Sequence, residues 1–372
     1  MKTKVISPGL PKVQSYLQPR SSIKRNGVCP VPDNASTVDS MLRRKLLSAR
    51  LRGGFTIVEM LVCIAVLGLL LAILVPAVQQ VRSTSRRMQC ANNLRQIGLA
   101  MHSFQEEKKV FPGFRYNYDL LPYLEQRNAW ELIENGSGMV LGASLEGVGS
   151  EDNYPGISFP VYSCPSDPAQ SIARNRALNY RMNMRTGWGE PNGDGFLGLD
   201  GGGIRPADVR DGLSQTAALS ERLLHRGFKE QGIPASGTFK PTQDQRLRRM
   251  ATTDPFRGEG QLDEFAEACR KSPVWFGGPW NQVICTPFAF GCSGFNYNHI
   301  LTPNQNSCYN GVPDPEGQSL KYSAQSASSL HSGGVNVLFG DGAVRFTSEN
   351  VSESVWRALG TRSGGESNTQ IF

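Results

Sequence analysis

The spacing of apolar and polar residues changes rhythm along this chain, and each change marks an element. From Phe55 to Val78 the run of 24 residues is apolar almost throughout, interrupted only by Thr56, Glu59, Gly68 and Pro76. At a helical rise of about 1.5 Å per residue that length crosses the hydrocarbon core of a bilayer. Beyond Pro76 the pattern turns amphipathic. Val78, Val81, Met88, Ala91, Leu94, Ile97, Met101 and Phe104 fall mostly three or four apart, with Arg82, Arg86, Arg87 and Arg95 among the polar positions. One helix from Phe55 to about Gln105 is expected, a rod of about 75 Å whose second half packs by a single stripe on a globular domain.

After Phe111-Pro112-Gly113 the helical period stops, and short apolar runs alternate with clusters of Gly, Pro, Asn and Asp. That is the pattern of a β-rich domain with long loops. Residues 231–320 show little periodicity and are expected to be an irregular insertion. The sharpest local signal is the segment Val335 to Phe346, where Asp341-Gly342 separates two alternating runs. A two-residue turn there sets Phe339 opposite Val344 and Val337 opposite Phe346, with Asn336, Leu338 and Arg345 on the other face. The expected organisation is a basic leader over 1–54, a membrane half of the helix over 55–78, an amphipathic half over 79–106, and a β-rich domain over 107–372.

The formal net charge of +7 suggests an anionic partner until its distribution is considered. Residues 1–54 hold 11 Lys or Arg against Asp33 and Asp39, which leaves 28 basic and 30 acidic residues in the remainder. The basicity belongs to the leader, which argues against nucleic-acid binding and fits a positive flank on the cytoplasmic side of a membrane. The first 40 residues are rich in Pro and Ser and poorly periodic, and read as disordered or as preceding the true start; initiation at Met41 leaves a 14-residue leader with five basic side chains. Of eight cysteines, Cys29 lies in the leader and Cys63 in the apolar run. Cys90, Cys164, Cys269, Cys285, Cys292 and Cys308 remain. None has C-x-x-C spacing, so disulfides in an oxidising compartment are favoured over metal ligation, with buried free thiols the alternative.

The small pair Gly53-Gly54 precedes the apolar run, whereas a secretory signal carries its small-residue cleavage site after it. A carboxylate at Glu59, within an apolar span, requires a partner. Gly54, Phe55, Thr56 and Glu59, followed by the apolar helix, resemble the prepilin cleavage and methylation motif of type IV pilins and type II secretion pseudopilins. The resemblance implies that a prepilin peptidase cuts between Gly54 and Phe55 and methylates Phe55. It also implies that Glu59 pairs with the terminal amine of a neighbouring subunit. Pro76 falls where pilin helices often carry a proline.

His331 precedes Asp341-Gly342 by nine residues, which resembles the H-x9-DG hallmark of a large family of pilin-like proteins, DUF1559, of the planctomycete type. Four further segments resemble parts of that family: Cys90 to His102, Cys164-Pro165-Ser166-Asp167, Asp211 to Thr216 with Glu221, and Gly360 to Glu366. The resemblance implies an α+β, type IV pilin-like fold, with a long N-terminal helix packed on a β-rich globular domain. It further implies a single-pass protein of the cytoplasmic membrane whose C-terminal domain is periplasmic or extracellular, with a prepilin peptidase and other pilin or pseudopilin subunits as partners.

His331, Asp341, His102 and Glu221 are residue types that bind metals or move protons, and His331 with Asp341 is a candidate cation site, calcium being the candidate ion. The competing reading is structural: Asp341 serves the turn, His331 hydrogen-bonds the sheet, and Ser214 and Thr216 satisfy loop backbone. No cofactor is otherwise implied. The chain lacks a Gly-x-Ser-x-Gly elbow, a P-loop and a His-Glu-x-x-His segment, so an enzyme is not expected. Gly198 to Gly203 reads as a flexible turn, and Gly193-Asp194-Gly195 lacks the spacing of an EF-hand loop. An alternative to a filament subunit is an anchored module that binds carbohydrate through Trp188, Trp275 and Trp280.

Overall fold

The computed structural model describes residues 56–113, 115–135, 159–168, 178–184, 194–197, 202–223, 249–251, 261–271, 274–275, 297–310 and 323–366. Helix α1 runs over Ile57–Lys108 without interruption, with Pro76 inside it. Its side chains from Ile57 to Val75 are exposed and almost wholly apolar, long enough to cross a membrane by length and composition. Burial begins at Cys90 and continues through Leu94, Ile97, Gly98, Ala100 and Met101. Val78, Val81 and Met88, expected in the packing stripe, are exposed instead. Their spacing is helical and apolar, but the globular domain covers only the last third of α1.

Two short helices follow, α2 (Tyr116–Asp119) and α3 (Arg127–Asn135). The main sheet has four antiparallel strands in the order β1 (Tyr180–Met182), β2 (Ala217–Glu221), β6 (Gly334–Phe339), β7 (Val344–Ser348). Every residue of β2 and β6 is buried, because the central pair is covered on both faces. On one face Leu338 and Leu219 pack with Leu94, Ile97 and Met101 of α1. On the other, Val335, Val337 and Phe339 pack with Tyr297 and with Trp356 and Leu359 of α5 (Glu353–Gly360). Fully burying side chains of this size stabilises by about 1.5–3 kcal/mol each. Ser352 caps α5 by accepting from Val355 N at 3.4 Å.

Segment 231–320 holds regular elements where an irregular insertion is expected. Helix α4 (Leu262–Lys271) packs Phe265, Ala266 and Cys269 against Ile300, Leu301 and Cys308. A three-stranded sheet in the order β4 (Val274–Trp275), β3 (Arg249–Ala251), β5 (Ser307–Tyr309) lies in the same region. Cys269 and Cys308 are joined by a disulfide. Strands of two or three residues leave too short a pattern for periodicity to register.

The hairpin of β6 and β7 differs by one residue from the expected register. The pairs are Asn336 with Phe346, Val337 with Arg345 and Leu338 with Val344. Gly342 N donates to Phe339 O, and Phe339 N to Ala343 O, both at 2.9 Å, so the loop is Gly340-Asp341-Gly342. Gly342 alone of the three has a left-handed backbone, with φ of +84°. Asp341 Oδ1 accepts from Ala343 N at 2.9 Å, which closes a three-residue loop rather than a two-residue one. The slip moves Val344 and Phe346 to the α1 face, where Arg87 lies over the Phe346 ring at 3.5 Å. Arg345 joins the opposite face, over Phe339 at 4.5 Å.

Two outcomes follow for the full chain in detergent. Gly342→Ala lowers stability by about 1 kcal/mol, the cost of a left-handed backbone with a Cβ, whereas Asp341→Gly does not raise it; a gain would indicate that Asp341 also has positive φ. The second concerns His299, fully buried and stacked on Trp356 with ring centroids 4.0 Å apart. Its Nδ1 donates to Trp356 O at 2.6 Å, and burial pushes its pKa down to about 3. The unfolded imidazole takes up its proton near pH 6.5 and the folded one only near 3. Between those values the unfolded chain holds more protons, so stability falls as pH falls, by up to about 1.4 kcal/mol per pH unit. Denaturant titrations between pH 7 and 4 show that slope flattened in His299→Gln.

Candidate functional site

The chain enters α1 through a reciprocal cap. Glu59 Oε2 accepts from Thr56 N at 2.9 Å and from Thr56 Oγ1 at 3.0 Å, while Glu59 N donates to Thr56 Oγ1 at 3.3 Å. Thr-x-x-Glu at a helix start satisfies two otherwise unpaired backbone donors, and the helix dipole favours a carboxylate there. Ile57, Val58, Met60 and Leu61 around it are exposed. Gly54 and Phe55 lie outside the described residues.

A second group of side chains converges inside the globular domain, where α1, the Cys164 loop, the end of β2 and the loop before β6 meet. Cys90 and Cys164 form a disulfide across a sequence separation of 74; closing a loop of that size stabilises by about 4 kcal/mol in the chain-entropy account. His331 Nε2 lies 3.8 Å from Cys164 Sγ and 3.1 Å from Glu221 Oε1. All four residues are buried, and one donor atom from each falls within 4.8 Å of the others.

Their surroundings orient them. Asn336 N donates to Glu221 Oε2 at 2.8 Å and Asn336 Nδ2 to Glu221 Oε1 at 2.9 Å. A buried carboxylate requires such partners, since an unpaired charge there costs several kcal/mol. His331 N donates to Ser329 Oγ at 3.1 Å, and Ser329 Oγ donates to Gly334 O at 2.7 Å, fixing the loop before β6. Cys164 N donates to Asn179 Oδ1 at 2.9 Å. Asn93, one helical turn after Cys90, donates to Ser163 O at 3.0 Å and so ties the Cys164 loop to α1.

His331 and Asp341 are not brought together. They stand at opposite ends of β6, so the nine-residue spacing measures one strand and the loop before it. Asp341 is exposed and 3.8 Å from Arg345, and the turn it occupies packs beside His102, 3.3 Å from where a Cβ on Gly342 would stand. That end gathers the other motif segments. Asp341 N donates to Leu213 O at 3.1 Å and Gly340 N to Thr216 O at 2.9 Å. Asp211 accepts from Gly364 N at 2.7 Å and Gly365 N at 2.9 Å, joining Asp211–Thr216 to the Gly360–Glu366 segment.

The cluster takes Glu221 rather than Asp341 as the partner of His331. Its signal in the sequence is faint: a carboxylate ending the strand Ala-Ala-Leu-Ser-Glu, with no local spacing to His331 or either cysteine. Cys285, Cys292, Trp188, Trp280 and Gly193 lie outside the described residues, as does the side chain of Trp275.

Two family models match the chain. The family described as prokaryotic N-terminal methylation motif matches residues 49–75. The chain is therefore a type IV pilin-like protein with a prepilin-type N-terminal motif at the start of its apolar helix. No curated protein matches the chain. No solved structure matches it either. The family described as protein of unknown function (DUF1559) matches residues 79–354, which include all four clustered side chains and the Asp341-Gly342 turn, and the chain belongs to that family.

Proposed function

We propose that the protein is a minor pilin or pseudopilin, a subunit of a type IV pilus or type II secretion-like filament, with its globular domain on the periplasmic or extracellular side of the cytoplasmic membrane. The observation that carries this reading is Glu59. It is the one charged residue in the apolar run from Phe55 to Val78, and it lies at the first turn of an exposed helix. A carboxylate at that depth is costly unless satisfied. Its cap to Thr56 supplies a partner within the chain, and the amine that cleavage creates at Phe55 of a neighbouring subunit is a stronger one. Exchange of the neutral donor for the charged one favours assembly of processed subunits over unprocessed ones.

Two further features support the reading. Val81, Met88 and Leu99 of α1 remain exposed beyond the apolar span, a surface available to helices of other subunits. The excess of basic residues before Gly54 orients the leader towards the cytoplasm.

Intact mass and N-terminal sequencing of protein recovered from native membranes should give a mature chain starting at N-methylated Phe55. Gly54→Val should retain the leader. Glu59→Leu should be processed normally but lose crosslinking to other subunits; crosslinking at the wild-type level in Glu59→Leu would remove Glu59 from assembly.

A further inference from the structure

We propose that Cys90, Cys164, Glu221 and His331 form a tetrahedral site for a zinc-like divalent cation, which is occupied when the two cysteines are thiolates and closed when they form the disulfide. The argument begins with donor chemistry. Two thiolates, an imidazole and a carboxylate are all ligand types that zinc accepts. Donor atoms around a tetrahedral zinc stand about 3.3–3.8 Å apart, given bonds of about 2.0–2.3 Å. The Nε2 to Sγ distance of 3.8 Å and the Nε2 to Oε1 distance of 3.1 Å lie close to that spacing. All four donors fall within 4.8 Å of one another. Parting the two sulfurs is the main movement the site requires.

The surroundings are those of a built site. Each of the four residues is at most 4% exposed. They come from four separate parts of the chain, and the backbone or side chain of each of three is held by a neighbour: Glu221 by Asn336, Cys164 by Asn179, and His331 by Ser329. Hydrogen bonds of this kind orient ligands in metal centres. Once the disulfide is opened, the carboxylate and two thiolates would carry three negative charges in a site closed to water, and a bound cation offsets them.

The two states interconvert by a balanced exchange. A small-molecule dithiol gives two electrons and two protons to the Cys90–Cys164 bond and becomes its own disulfide. The two thiols then lose their protons to solvent as the cation binds both sulfurs. His331 ligates as the neutral imidazole through Nε2, and Glu221 as the carboxylate through Oε1.

The test uses the full chain in detergent with Cys63→Ser, reduced under argon and titrated with Co(II) as the spectroscopic probe. The expected result is one equivalent bound, with a thiolate-to-cobalt charge-transfer band and the intense visible bands of a tetrahedral ion, bleached by Zn(II) and absent from the oxidised chain. Cys90→Ser and Cys164→Ser each lose a large part of the charge-transfer intensity, one thiolate of two, while Cys269→Ser and Cys308→Ser keep it. His331→Gln and Glu221→Gln weaken binding by about tenfold or more, at or above the loss typical when a metal site is perturbed. Because reduction removes a stabilising crosslink, the melting temperature of the reduced chain is measured alongside, and Zn(II) raises it in the parent but not in His331→Gln. The proposal is overturned by spectra unchanged in Cys90→Ser or Cys164→Ser, by a folded reduced chain without a tetrahedral spectrum, or by a reduced chain that unfolds and is not restored by Zn(II).

Discussion

The carboxylate of Glu221 lies at the end of a strand with almost no access to water, and a charge in that position persists only if the structure supplies its partners. Asn336 supplies two donors and His331 a third contact, all from β6 or the loop leading into it. The pairing of β2 with β6 is thus held by side chains as well as by its backbone ladder. That same pair forms the middle of the sheet, so the polar cluster and the two apolar layers either side of it depend on one strand alignment.

Helix α1 relates to that alignment through close contact. An added Cβ on Gly98 would stand 2.8 Å from Leu338 Cδ1 and 3.5 Å from the Gly342 backbone, so the helix approaches the hairpin at a position where only glycine fits without movement of Leu338. Cys90 and Asn93 tie the helix to the Cys164 loop further along. The last third of the helix therefore belongs to the domain core, while the side chains from Ile57 to Val75 are exposed and almost wholly apolar.

Chemistry is divided between the two ends of β6. One end gathers sulfur, imidazole and carboxylate groups in a closed interior. The other gathers glycine, aspartate and threonine around backbone donors, with Asp341 serving Ala343 and Asp211 serving Gly364 and Gly365. At both ends of β6 these polar residues shape and join parts of the domain.

The apolar run and the Thr56–Glu59 cap are legible in the sequence because they act through neighbours one helical turn away and through a solvent, the bilayer, that responds to composition. Leu94, Ile97 and Met101 were legible too, as helical spacing places them on one face. Tertiary structure alone decided that Val78, Val81 and Met88 on a similar face stay uncovered, since periodicity describes a face and not what meets it. It also decided the hairpin register, where one left-handed glycine and an aspartate cap outweighed an Asp-Gly pair. Most of all it decided that His331 meets Glu221 and the Cys90–Cys164 pair rather than Asp341. Residues far apart along a chain are brought together by strand order and loop paths, and no local spacing records that meeting.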